Sequence, residues 1–149
     1  FIVWGPEHLV SKGKLDETSV ICATDMFNSI CKITKSPLPK EFMGYGEDMS
    51  KALLGKPQKR KKALFWEYRR NESRAFPKPK GEDISPNVSV RDGDWKLLVN
   101  YDGSDVMLFN LKDDVNEKND VKDKYPKVAE KLKKKALEWR KSLPKLSAE

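Results

Sequence analysis

The stretch "VRDGDWKLLVNYDGSDVMLFNL", residues 90–111, constrains the fold more than any other part of this chain. It holds two Asp-Gly pairs, Asp92-Gly93 and Asp102-Gly103, each set between apolar runs. Glycine accepts positive φ without a Cβ penalty, so Asp-Gly in that setting marks a tight hairpin. "VSVR", "WKLLVNY" and "VMLFNL" are then three successive strands. "ALFWEYRRN", from residue 63, supplies a fourth before them. Its alternation puts Leu64, Trp66 and Tyr68 on one face and Phe65 and Glu67 on the other. The expectation is a four-stranded, largely antiparallel sheet.

The same stretch carries Asp92, Asp94, Asp102 and Asp105. Carboxylates can hold a metal or move protons, but only where they converge. A hard cation such as calcium wants about six to eight oxygen ligands around one point. Turns spread along a meander do not supply that, and no histidine sits beside any of the four. Asp92 and Asp102 therefore read as turn residues.

The last element is a helix from about Pro126 to Ser142, with proline suited to its first turn. Val128, Leu132, Ala136, Trp139 and Leu143 recur at helical spacing and form an apolar stripe that should lie on the sheet. The polar remainder, "KVAEKLKKKALEWRK", is one of two basic concentrations; the other is "GKPQKRKK", residues 55–62. Each reads as solvated charge, a connector and a helix face. The sharper reading is binding to sulfate or phosphate polyanions. The net charge of +7 agrees with either.

The front of the chain differs in style. "FIVWGPEHLV" reads as a buried strand broken at Gly5-Pro6. "TDMFNSICKITK" reads as an amphipathic helix, capped by Thr24 with Asp25 in its first turn, and with Met26, Phe27, Ile30, Cys31 and Ile33 on one broad face. Two prolines and two glycines make "SPLPKEFMGYGED" a loop, after which Asp48 caps a short helix closed by Gly55. Cys22 and Cys31, nine residues apart, lie roughly 13 Å apart if both are helical. A disulfide wants Cα atoms within about 7 Å, so both are expected to be free, buried and apolar. A chain opening on an apolar run reads as a piece of a larger protein. Its first strand would be left exposed or paired with another chain, and such an open edge invites self-association.

Composition excludes whole classes. With 38% hydrophobic and 36% charged residues the chain is polar but not of disordered type. No apolar run approaches a membrane span. No zinc-finger spacing, RNP signature or helix-turn-helix is present, which leaves nucleic acid a weak partner.

In order and spacing, these pieces resemble the C-terminal portion of a formylglycine-dependent sulfatase of the arylsulfatase type. "FIVWGPEH" is similar to that family's strand and Trp-Pro-Gly-His turn. "DETSVICATDMFNSICKITKSPLP" resembles its returning segment and helix. "EDMSKALLGKPQKRKKALFWEY" resembles the linker to its C-terminal subdomain. Most specific is the run Arg91-x-Gly93-x-Trp95-Lys96-Leu97, followed by Leu108, Phe109, Asn110, Leu111, Asp114, Glu117 and Asn119. The first turn departs from the family by reading Trp4-Gly5-Pro6-Glu7-His8, and the usual Asp-Pro is Asp114-Val115.

The resemblance implies an α+β chain. Residues 1–62 would be the end of the sulfatase α/β domain, alkaline-phosphatase-like, with a partial strand-helix segment and linker. Residues 63–149 would be the C-terminal subdomain, a four-stranded antiparallel sheet packed by the long helix. It implies formylglycine and calcium for the whole enzyme, but not in this chain. Neither Cys22 nor Cys31 begins the Cys/Ser-x-Pro/Ala-x-Arg motif, and the family's metal ligands precede these segments. No catalytic residue and no metal ligand is therefore expected here, and His8 matches a turn residue. The expected contribution is fold completion and the rim of a pocket for a sulfated glycan or aryl ester. Arg69, Arg70, Asn71 and Arg74 are the candidate substrate-binding residues, because guanidinium groups pair well with oxyanions. Trp66 or Tyr68 could stack on a sugar. The family suggests a periplasmic, secreted or lysosomal location. The alternative is an independent basic module that binds acidic glycans or nucleic acid.

Overall fold

The structure, a computed structural model, describes residues 1–42, 44–68 and 85–144. The chain divides into two compact units, Phe1–Lys62 and Ala63–Glu149.

The second unit is α+β. Strands β1 (Leu64–Glu67), β2 (Val88–Asp92), β3 (Trp95–Val99) and β4 (Met107–Asn110) form one antiparallel sheet in the order of the sequence. The hairpins turn where the Asp-Gly pairs predict, with Gly93 at φ +61 and Gly103 at φ +85. Register puts Phe65, Val90, Leu97 and Leu108 in one row across the sheet. That face carries helix α3 (Pro126–Ser142), whose Leu132 and Ala136 are buried among Val88, Val90, Leu97, Val99 and Leu108. Val128 and Trp139 of the expected stripe join the same cluster, and Trp139 stacks on Phe65 with centroids 5.0 Å apart. The outer edge of β4 is closed: the Leu108 N–H donates to the Asp120 carboxylate and the Val121 N–H to the Leu108 carbonyl. Paired in this way, the edge offers no template for another strand.

The first unit departs from expectation in several places. Residues 1–4 form no strand, and Phe1, Ile2 and Trp4 are 86%, 94% and 93% exposed. A strand needs a neighbour for its N–H and C=O groups, and the apolar run finds none among the described residues. Thr24 is exposed and does not cap the helix. The helix begins instead with a 3-10 turn at Ala23–Asp25, and the Asp25 carboxylate accepts the Cys22 N–H at 2.7 Å. Third, α1 (Met26–Thr34) turns its polar side inward. Ser29 is buried, while Phe27 and Ile30 of the predicted apolar face are 47% and 52% exposed.

The centre of this unit is polar. Asp25 is wholly buried and accepts N–H groups from Cys22 and Glu47. Arg60 binds both its oxygens, with Nη2 to Oδ1 at 2.9 Å. Burial alone would raise the Asp25 pKa, but Arg60 and the two backbone donors outweigh it and hold the carboxyl below its usual value. Arg60 thus corrects the reading of residues 55–62 as solvated connector, because its side chain is only 8% exposed. Ser29 donates to the Asp25 carbonyl and accepts the Met49 N–H, which ties α1 to α2 (Ser50–Leu53). Asp48 accepts the Ser50 N–H but stands one residue before the expected cap position, which Met49 holds without a side-chain bond; Gly55 closes α2 at φ +82, as the sequence predicts. Cys22 and Cys31 are free but half-buried, not buried.

Candidate functional site at one end of the sheet

Antiparallel order places the end of β1, the start of β2, the end of β3 and the start of β4 at the same end of the sheet. The chain leaves β1 there at Tyr68, whose N–H donates to the Asn87 carbonyl at 2.7 Å. The Tyr101 hydroxyl donates to the Tyr68 carbonyl at 3.2 Å. Beneath them Arg140 of α3 pairs with Glu67, whose side chain is 7% exposed. The guanidinium also lies 5.0 Å from the Tyr101 ring centroid, in cation–π range. The Tyr101 phenol is pushed above its ordinary pKa, first by burial and then by the Glu67 carboxylate, with Arg140 opposing.

Beside this cluster a cavity of about 390 Å³ is lined by Ser85, Pro86, Asn100, Asp105, Asp120 and Lys122 among others. Asn100 organises one wall, donating to Ser104 Oγ at 3.1 Å and to Asp105 Oδ2 at 2.6 Å. Lys122 forms the other with Asp120, at 2.6 Å. Burial would raise Asp120, but the Leu108 N–H and Lys122 hold its carboxyl below the usual range. Such walls donate hydrogen bonds to hydroxyl groups and accept them, but the lining's cation, Lys122, is already paired with Asp120, and Asp105 adds a second carboxylate. An oxyanion bound at this end therefore needs cations from elsewhere.

The segment bearing the candidate cations leaves from the same end. Arg69, Arg70, Asn71 and Arg74 lie outside the described residues. Their described neighbours, Tyr68 and Ser85, both flank this end, and Tyr68 is exposed while Trp66 is half-buried.

The hairpin carboxylates do not gather. Asp92 is at the opposite end of the sheet, where it pairs with Lys135 of α3 at 2.8 Å. Asp102 accepts the Ser104 N–H, an Asx turn, and the Ser104 hydroxyl and N–H lower its pKa. Among the described residues no three His, Cys, Asp or Glu side chains group as a metal site needs. The described carboxylates therefore do not offer the cage of about six to eight oxygens that calcium needs. His8 is exposed, in a turn that follows Pro6.

Glu67, Tyr101 and Arg140 were not singled out by sequence reasoning. The available signal was the residue type. Arg140 is the one arginine in α3, as Arg60 is the one arginine in residues 55–62. Guanidinium is less strongly hydrated than ammonium and binds a carboxylate with two donors, so arginine is favoured where the pair is buried.

No protein-family model and no curated protein matches the chain. Solved structures do. One is BT33336S-sulf, from the Bacteroides thetaiotaomicron locus for metabolism of multiple glycosaminoglycans. It superposes with a TM-score of 0.56 at 22% identity, over 80% of this chain and 24% of that one. A second is BT4656, solved in complex with its substrate D-glucosamine-2-N,6-O-disulfate. It gives a TM-score of 0.50 at 21% identity, over 78% of this chain and 23% of that one. These structural neighbours are sulfatases. The chain shares a fold with part of them. It spans about a quarter of their length.

Proposed function

We propose that this chain is the C-terminal portion of a formylglycine-dependent sulfatase acting on a sulfated glycan. In this reading residues 1–62 end an alkaline-phosphatase-like α/β domain and residues 63–149 form its C-terminal subdomain. The chain completes the fold and supplies pocket rim, while the nucleophile and calcium ligands belong to other segments of the enzyme.

The observation that carries the reading is the superposition over 80% of the chain on BT33336S-sulf. Support comes also from the order of the sequence pieces, in which the Arg91-to-Leu97 run becomes the β2–β3 hairpin. The substrate class rests on the disulfated glucosamine held by BT4656.

Arg69, Arg70, Asn71 and Arg74 are the proposed substrate contacts. Sulfate needs unpaired cations, the cavity at this end of the sheet offers a lysine already paired with Asp120 and a further carboxylate, and surface loops are the usual carriers of binding residues. In the parent enzyme Arg70→Ala and Arg74→Ala are expected to raise KM for a sulfated glycan far more than for a small aryl sulfate, while Asp102→Asn leaves both nearly unchanged. The 149-residue chain alone is expected to release no sulfate from either, with or without calcium. Turnover by the isolated chain that survives repurification would overturn the reading. So would arginine variants that match wild type on the glycan while Asp102→Asn abolishes binding.

A further inference from the structure

Residues 59–62, Lys-Arg-Lys-Lys, are the longest unbroken run of cations in the chain, and they end the first of its two compact units. The run forms no helix or strand, and Lys59, Lys61 and Lys62 are exposed. By composition and exposure it is an ordinary target for a trypsin-like protease, whose acidic pocket takes lysine or arginine.

Its backbone is held. The Gln58 N–H donates to Ser19 Oγ at 2.8 Å, and the Gln58 side-chain amide donates to the Asp48 carbonyl at 2.6 Å. Arg60 turns inward to Asp25. Glu47 then closes the next two peptide groups, the last before the second unit begins at Ala63. Its Oε2 accepts the Lys61 N–H at 2.9 Å and the Lys62 N–H at 2.8 Å, and lies 3.6 Å from Arg60 Nε. The Glu47 side chain is 12% exposed, so water competes little for these bonds. Hydrogen bonds to a carboxylate are roughly twice as strong as neutral ones. A protease needs the opposite arrangement, because an extended peptide is bound through main-chain hydrogen bonds. The lysine side chains are thus offered to solvent while the peptide groups that carry them are withheld.

We propose that Glu47 is a latch over a protease-cleavable joint. While its carboxylate holds the Lys61 and Lys62 N–H groups, the basic run resists a trypsin-like protease; once it lets go, the chain is cut there into its two compact units. The Asp25–Arg60 pair anchors the run one residue earlier and does not itself cover the peptide groups of Lys61 and Lys62, so the switch lies in Glu47. Cleavage then follows the population of the locally opened segment, not global unfolding. The latch is independent of the hydrolase reading, since every residue in it belongs to the first unit and none touches the proposed substrate contacts.

The test is limited trypsin digestion of the 149-residue chain, with the rate at each bond read by mass spectrometry. Lys14 is the reference, exposed in the same unit and outside any helix or strand. In wild type the bonds after Lys59, Lys61 and Lys62 should be cut more slowly than the bond after Lys14, although all four lysines are exposed. Glu47→Ala should speed cleavage at the three joint bonds about tenfold or more, the factor for losing one hydrogen bond to a charged group, and leave the bond after Lys14 unchanged. Leu53→Ala truncates a buried side chain of the same unit and controls for lost stability. It should raise cleavage throughout the unit without favouring the joint. Amide exchange reads the latch in wild type without any variant: corrected for intrinsic rates, Lys61 and Lys62 should exchange about tenfold or more slowly than Lys14. A joint cut as fast as Lys14 in wild type would overturn the proposal. So would unprotected Lys61 and Lys62 amides, or a Glu47→Ala digest that matches wild type or Leu53→Ala.

Discussion

Asp25 shows how much one residue can organise. Its carboxylate receives four donors from three parts of the first unit: Cys22 before the helix, Glu47 in the following loop and Arg60 in the basic segment. The backbone is fitted to it, since a Cβ on Gly46 would stand 2.0 Å from the Thr24 carbonyl oxygen. Removing one partner of a buried ion pair leaves the other charge uncompensated, which costs about 3–5 kcal/mol. Arg60→Met should therefore destabilise by that amount, measured by denaturant unfolding. The pH dependence has a definite sign. The folded pKa of Asp25 is depressed, so its contribution is complete above the unfolded value of about 3.9 and is lost as pH falls through the folded value. Thermal unfolding of wild type and Asp25→Asn should differ most near neutral pH and converge in acid. A gap that stayed constant down to acid pH would mean that the carboxylate charge is not what holds the three segments.

At the scale of elements, α3 and the sheet hold each other by one apolar seam and by two ion pairs, Lys135 to Asp92 and Arg140 to Glu67, whose carboxylates lie at opposite ends of the sheet. Leu132 is 3% exposed and lies at the seam's middle. Leu132→Ala should cost about 2–5 kcal/mol, the range for truncating a buried leucine. Lys134→Ala, on the exposed side of the same helix, should lie within about 0.5 kcal/mol of wild type. Equal effects from the two would mean that the seam is not the core. This part of the fold was legible in the sequence because each signal was local. Asp-Gly names its own turn, and the Val128-to-Trp139 stripe names its own face. The candidate site was legible only as chemistry, because Arg69, Arg70 and Arg74 can be chosen by charge alone. The pairs Asp25–Arg60 and Glu67–Arg140 join residues 35 and 73 positions apart, and nothing local announces them. The orientation of α1 was not legible, for the opposite reason. Its apolar periodicity is real, but periodicity states which residues share a face and not which face is covered within the chain.

For the molecule as a whole, that inverted helix is the informative feature. Scattered exposed hydrophobic residues are ordinary, but a helix that buries Asp25 and Ser29 while exposing Phe27 and Ile30 is not. The unit has paired its buried Asp25 and Ser29 internally and left these apolar side chains half in water. Phe1, Ile2 and Trp4 add to the exposed apolar surface of the same unit. Exposed apolar patches of this kind mark surfaces that a neighbour covers. If the chain is part of a larger sulfatase, the cost of changing these residues depends on what surrounds them. In the 149-residue chain about half of each side chain is already buried, with Phe27 against Phe42, and Phe27→Ser and Ile30→Ser should each cost about 1–1.5 kcal/mol while reducing binding of a hydrophobic dye. In the parent protein the same residues would be covered, and each substitution should cost about 2–4 kcal/mol, the range expected for large side chains lost from a packed interior. Unfolding midpoints of the four proteins compared with their wild types would decide it. Equal, small effects in both settings would show that this face of α1 stays in water in the longer protein, and the first unit would then need no neighbour to be whole.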